Sequence, residues 1–541
     1  MKKFVHKNIY TIIIFLIFIG FSFFNTLPIG WKYNNDDLRD TLSAQTVSKY
    51  WEYTFKEELN EKIGTLGFIM PWFLINKSWL NFTNGFFWSP LILWSVFTII
   101  NNDFIFSVFQ VLLIFGVIFT LYMILNKISS KSLNKKTFLM LLLTAPLLYV
   151  NLNIFYPDLL SSFLFLLWLY YFFNFAETNS VKTLLLMVVL FSFSLVVKLN
   201  YIIFLIPIFI YCFYRLVKLQ TIIKIWFITL LIFLFIYFPQ LRFNKITMWS
   251  YTEFSYTSYK NTYDGKVTAT SSENQNEILS KQKNLLIYRI WNEYIIPQGT
   301  LYWNIIILLP VLFLCSLFFL FIFIGINKID RRNKNIILIM FLLWFLFFWN
   351  MWWWFGIWQV NLRASLIRYL LPLIILLFGI SVGWFLWANL NKSLKIIILS
   401  LILISWFWVL TTKYPFNAYT FWSFKRDFES AKTQLIKLVQ SWSIILSAGF
   451  DDWFLTQLDK NYKIFDYWYI PKDFQEKEIF KVVEFWIKNN IPLYIYYINT
   501  ASSSRWSNHL YDFNNKYEIQ KIYFFGKYYY IYKIIWLKWL K

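Results

Sequence analysis

The chemically useful side chains of this sequence fall in short clusters. The first, Asn34-Asn35-Asp36-Asp37-Leu38-Arg39-Asp40, crowds carboxylates just beyond the first apolar run. One carboxylate can serve as general base towards an acceptor hydroxyl or amine. A neighbour can orient the acceptor or bind a divalent metal, because repulsion and burial push paired pKa values apart. The competing reading is structural: Asp is a favoured helix N-cap, and the sequence from Leu38 reads as helical. Asp158, after Pro157 at the mouth of a later apolar run, has the same two readings, N-cap or site acid. Arg363 and Arg368 bring guanidinium forks that match a phosphate bidentately, and Lys198 adds a point charge. For both kinds of cation the competing reading is snorkelling to lipid headgroups.

Other chemistry is poorly served. Cys212 and Cys315 both sit inside apolar runs, so the sequence builds neither a disulfide framework nor a Cys-x-x-Cys metal site. His6 and His509 have no partner at metal-ligand spacing. Any metal, Mg or Mn, must therefore come through oxygen ligands, with Asp37 and Asp158 as the candidates.

The elements that must position these residues are membrane helices. The chain has 541 residues, of which 59% are hydrophobic and 15% charged, whereas a soluble domain averages about a quarter charged. Apolar runs of spanning length lie roughly at 9–27, 104–126, 137–154, 159–176, 181–197, 201–217, 222–239, 301–326, 336–351, 369–388 and 395–411. This predicts a mainly α, polytopic membrane helix bundle of about eleven spans. The excess of 51 Lys and Arg over 28 Asp and Glu would point to nucleic acid in a soluble protein. Here the positive-inside rule and anionic lipid headgroups account for it, and no nucleic-acid partner is expected.

Basic residues collect on alternate connections: Lys2, Lys3 and Lys7; Lys127, Lys131, Lys135 and Lys136; Lys182; Arg215, Lys218 and Lys224; Lys328, Arg331, Arg332 and Lys334; Lys392 and Lys395. The rule assigns these to the cytoplasm, which predicts a multi-pass cell-membrane protein with its N-terminus inside and its C-terminus outside. Met1 to His6 and the run behind it read as an uncleaved first helix, since no small-residue cleavage site follows. The acidic stretch, Asp158, Lys198, Arg363 and Arg368 then share the external side. Long external loops are expected at about 28–103 and 240–300. In the first, Thr41 to Lys62 reads as a helix lying along the membrane surface, with Glu57, Glu58 and Glu61 as an acidic cluster.

The chain thus divides into a membrane part, 1–412, and a soluble part, 413–541. In the latter Phe424–Gln440 and Phe474–Asn489 have helical periodicity, and Ser443–Ser447, Lys463–Tyr467, Pro492–Ile498 and Tyr528–Ile535 read as strands. This alternation predicts a small extracytoplasmic α/β domain.

Trp occurs 29 times and Gly only 14 times, where average usage gives about 7% Gly. Trp249, Trp453 and Trp506 stand in turn-like contexts. The composition points to a gene whose UGA codons encode glycine and have been translated as Trp; an aromatic belt at the membrane interface is the alternative.

Taken together, these motifs resemble the GT-C superfamily of polytopic glycosyltransferases, in particular the branch of protein O-mannosyltransferases and the lipid A aminoarabinose transferase. The likeness rests on Asp36-Asp37 in a long first external loop, Pro157-Asp158, Lys198-Leu199-Asn200, Arg368-Tyr369-Leu370-Leu371-Pro372 and a small external C-terminal domain. The resemblance implies a sugar donor on a polyprenyl phosphate and inverting transfer to a protein, lipid or glycan acceptor outside the cell membrane. It makes Asp36, Asp37 and Asp158 the catalytic carboxylates, a first-loop Asp serving as base, and has Arg363, Arg368, Tyr369 and Lys198 face the donor phosphate. A transporter or flippase of lipid-linked glycans is the alternative, although the sequence has no obvious inverted repeat of the kind transporters carry.

Overall fold

The computed structural model describes residues 2–26, 54–65, 68, 73–75, 80–83, 92, 103–129, 138–142, 156–178, 180–197, 219–248, 250–251, 326, 329, 333–340, 342, 372, 375–383, 391, 393–397, 400, 430, 433–447, 462–466, 472–498, 517–525 and 529–537. These residues are mainly helical, with a small mixed sheet near the C-terminus.

The helical part is built from α1 (Lys2–Thr26), α3 (Asp103–Ile128), α4 (Tyr156–Thr178), α5 (Val181–Val197) and α6 (Leu219–Met248), with a short helix α2 (Glu58–Ile63) between α1 and α3. Three stretches within these helices, Val108–Ile128, Asp158–Thr178 and Phe227–Thr247, are long and apolar enough to cross a membrane. At 1.5 Å per residue each reaches about 30 Å, the thickness of the hydrocarbon core.

The core sits on α3 and α4. Val117, Leu121, Ile124 and Ile128, spaced as one helical face, are fully buried or nearly so, and so are Ile118 and Leu125 on another. A helix apolar all round belongs at the centre of a bundle. α3 and α4 come close at Gly116, where a Cβ would lie 2.8 Å from the Phe163 ring. Trp168 of α4 packs its ring 5.0 Å from those of Phe165 and Phe191, which ties α4 to α5. Segment 375–383 joins the same core: a Cβ on Gly379 would meet the Leu121 side chain at 2.6 Å. Small residues at such crossings let helix backbones come together where lipid offers no hydrophobic driving force.

Helix α6 differs from expectation. The apolar run ends at 239, but the helix runs through Pro239 to Met248. Proline removes one backbone hydrogen bond, and polar side chains beyond it support the turn: Gln240 donates to Asn244 (2.9 Å) and Asn244 to the Tyr251 carbonyl (3.3 Å). Residues 240–248, expected in the second long loop, are therefore helical. On its opposite face α6 exposes Phe227, Leu231, Leu234, Phe235 and Phe238, a stripe suited to hydrocarbon.

The C-terminal part is a five-stranded sheet, ordered β5-β4-β6-β8-β7, of β4 (Ile444–Ser447), β5 (Lys463–Asp466), β6 (Leu493–Ile498), β7 (Tyr517–Phe525) and β8 (Tyr529–Leu537). β4 pairs in parallel with β5 and β6; β8 runs antiparallel to β6 and β7. Helix α7 (Lys472–Asn489) enters between β5 and β6. It lays Ile479, Val482 and Val483 on one sheet face, against Ile444, Leu446, Leu493 and Ile495. Alternate residues Ile445, Tyr494 and Tyr496 face the other side, covered by Leu435 and Val439. The period-2 alternation of the strands explains both layers. α7 stops at Asn490, whose φ of +53° is a common helix-ending conformation for Asn.

The strands read from the sequence at 443–447, 463–467, 492–498 and 528–535 correspond to β4, β5, β6 and β8, and the helix at 474–489 to α7. β7 was not anticipated, although Tyr517-Glu518-Ile519-Gln520 alternates. Within the predicted 41–62 helix, Thr54–Lys56 is instead a strand, β1, paired with β3 (Leu80–Thr83), which also pairs β2 (Phe73–Ile75). Helical structure there is confined to Glu58–Ile63 among the described residues.

Candidate functional site

Asp158 lies in the first turn of α4, behind Pro157, and is 1% exposed. It is the third residue of the helix and not the cap ahead of it. There the positive end of the helix dipole favours a carboxylate. Pro157 suits the first turn because its missing N–H would have no partner inside the helix.

A buried polar patch continues from this acid. Ser161 and Ser162 follow at i+3 and i+4, on the same face, and both are fully buried. The Ser161 hydroxyl donates to the Asp158 carbonyl at 3.2 Å. From α5 the Ser194 hydroxyl donates to the Ser161 carbonyl at 3.4 Å. Ser162 and Ser192, also fully buried, have hydroxyls with no hydrogen-bond partner among the described residues. Polar groups set into an apolar bundle are costly and tend to face an internal path or site.

The depth of the patch follows from the helix register. Ser161 meets Ser194, so in this antiparallel pair Asp158, about 4.5 Å further along α4, is level with the end of α5 at Val197. Val196 clusters with Ile236 and Tyr237 of α6. α6 then continues from Tyr237 for about 16 Å past that level, carrying buried Gln240, Asn244 and Thr247. The N-terminal end of α4 and the C-terminal end of α5 thus form one mouth, with a carboxylate and serine hydroxyls set into it, and α6 packs on α5 and projects past it.

No protein-family model and no curated protein matches this chain.

Of the residues singled out from the sequence, Asp158 is at this mouth. Asp36, Asp37, Lys198, Arg363, Arg368 and Tyr369 lie outside the described residues. Two of their neighbours are described. Val197, immediately before Lys198, is buried at the depth of Asp158, and Pro372, which closes the Arg-Tyr-Leu-Leu-Pro motif, is buried too. Among the described residues no group of three or more His, Cys, Asp or Glu forms a metal cluster. Asp158 is one oxygen donor where a hard divalent cation takes six or more.

Sequence reasoning missed Ser161, Ser162, Ser192 and Ser194. The signal was present in Asp158-Leu-Leu-Ser-Ser, whose i, i+3, i+4 spacing stacks the polar groups on one face, and in Ser192-Phe-Ser at the same end of the next span.

Proposed function

We propose that this chain is a membrane glycosyltransferase of about eleven spans, which transfers a sugar from a polyprenyl-phosphate donor to an acceptor outside the cell membrane. The observation that carries the reading is the carboxylate of Asp158, 1% exposed in the first turn of an apolar helix and continued by buried serine hydroxyls. In this reading a site carboxylate, Asp158 or one of Asp36 and Asp37, takes the proton of the acceptor O–H or N–H. The acceptor atom bonds to the anomeric carbon, the carbon–oxygen bond to phosphate breaks, and the phosphate leaves with the electron pair. Inversion follows from attack opposite the leaving group. Arg363, Arg368, Tyr369 and Lys198 hold the departing phosphate, where fixed cations favour the charge that develops.

The proposed orientation puts the N-terminus in the cytoplasm and the C-terminal unit outside. Three pairs support its parity. Lys127 and Glu177 join the C-terminal ends of α3 and α4, as parallel spans separated by one return crossing require. Ser129 bridges Ile329, which brings together two connections rich in Lys and Arg. Glu57, in the loop after α1, pairs with Lys463 of the C-terminal unit, as an even number of crossings between them requires.

The test is sugar transfer from a synthetic polyprenyl-phosphate-sugar by the full-length protein in proteoliposomes, with Asp36→Asn, Asp37→Asn and Asp158→Asn as separate variants. Loss of a general base lowers turnover by about 10²–10⁴-fold. A wild-type protein that moves the lipid-linked sugar between leaflets without transferring it refutes the transferase and establishes the flippase.

A further inference from the structure

Residues 57–68 lie in the loop between α1 and α3, yet their contacts are made with the other end of the chain. Glu57 Oε1 is 2.8 Å from Lys463 Nζ on edge strand β5, and the Gly64 carbonyl accepts from Lys481 Nζ of α7 at 2.6 Å. Lys62 Nζ stands 5.4 Å from the centre of the Phe485 ring, and the Phe68 ring meets Phe465 edge-on at 5.2 Å. Leu59 and Ile63 pack against the same apolar cluster under α7, in which Phe68 is 3% exposed.

The segment is shaped for this contact by one residue. Asn60, fully buried, donates through Nδ2 to the Phe68 carbonyl at 2.7 Å and accepts from the Phe68 N–H at 2.9 Å. Both ends of its amide go to one backbone position, which closes the bend that carries Phe68 to the sheet. Gly64, at φ +71°, turns the chain between them and ends α2.

We propose that Glu57–Phe68 is a clasp by which the C-terminal α/β unit holds the first long loop, so that the unit is a positioning part of the outer mouth and not an appended module. The radius explored by a free chain grows as the square root of its length. Pinning Glu57 therefore limits how far Asp36 and Asp37, 21 and 20 positions earlier in the sequence, can lie from the C-terminal unit. Opposite charges on Glu57 and Lys463 select one docking register, and the Asn60 bend places the aromatic anchor. The kinetic consequence of the clasp rests on the transferase reading; the clasp itself does not.

The test uses the full-length protein in lipid nanodiscs. Lys463→Glu turns the ion pair into repulsion, and Glu57→Lys with Lys463→Glu restores an opposite pair. Asn60→Ala removes both bonds to Phe68. Amide exchange of 58–68, read by mass spectrometry, should accelerate in Lys463→Glu and Asn60→Ala and return to the wild-type rate in the charge swap. Transfer kcat/KM should fall by up to about fivefold in Lys463→Glu, the span of a partly exposed pair, and recover in the swap. Exchange at 58–68 that is unchanged in both single variants overturns the clasp. Exchange that follows the charges while kcat/KM does not overturns its positioning role. If the wild type transfers no sugar, the transferase reading fails and the exchange contrast still decides the clasp.

Discussion

Lys127, in the last turn of α3, pairs with Glu177, next to the last residue of α4. A carboxylate at a helix C-terminus is disfavoured by the dipole, and a lysine there is favoured, so the pair relieves the one with the other. It also records direction. Two helices whose C-terminal ends meet side by side run parallel, and the chain between them must cross back.

That direction can be read in membranes. In a background with Cys212→Ser and Cys315→Ser, single cysteines replace the exposed Lys182, at the start of α5, and the exposed Lys488, late in α7. A membrane-impermeant maleimide applied to intact cells should label position 488 and spare 182 until the membrane is opened. Labelling in the reverse pattern would invert the orientation.

The contact of Gly116 with Phe163 sets a packing prediction. An added methyl would sit 2.8 Å from the ring at the half-buried edge of the core, so the ring or the helices must shift, and overpacking of this kind costs about 1–3 kcal/mol. Gly116→Ala should lower the unfolding temperature in detergent, and Phe163→Leu in the same chain should restore much of it. A single variant as stable as the parent would mean that the helices do not approach this closely.

Tyr517, 5% exposed on β7, predicts an alkaline limit for the C-terminal unit. Burial, reinforced by the negative charge of Glu476, pushes its phenol above the ordinary value near 10.0. The folded state holds this proton more tightly than the unfolded chain does. The stability linked to it is therefore complete below pH about 10 and is lost as pH rises through the folded pKa. Tyr517→Phe should move the alkaline loss of sheet structure, followed by circular dichroism, to higher pH. The same transition in both proteins would refute the linkage.

Trp442 has φ +63° and is 73% exposed, in the turn that enters β4. Left-handed backbone costs an L residue about 1–2 kcal/mol, and glycine escapes most of that. Asn490, the other non-glycine residue with positive φ among the described residues, belongs to a type that tolerates it. A bulky indole in this conformation, without burial in return, agrees with the Trp excess and Gly shortfall of the composition. Trp442→Gly is expected to stabilise the unit, and the intact mass of the protein from its native source should fall below that of the translated sequence. Equal masses would leave Trp442 as a strained tryptophan.

The sequence by itself determined the membrane character, the approximate placement of the long helices now described, Asp158 at a helix end, and most strands of the tail. These are local properties: apolar run length, charge on alternate connections, and period-2 alternation near β-branched and aromatic residues. Tertiary structure decided what lies between distant positions. That Ser194 reaches Ser161, that α6 persists through Pro239, and that Glu57 meets Lys463 across 406 positions depends on packing partners which no local pattern encodes. The 41–62 stretch is the clearest case. Its apolar and polar residues suit a surface helix, but from Thr54 onward the cluster offered by α7 and Phe465, together with pairing to β3, drew the chain into a strand, a short helix and a docked bend.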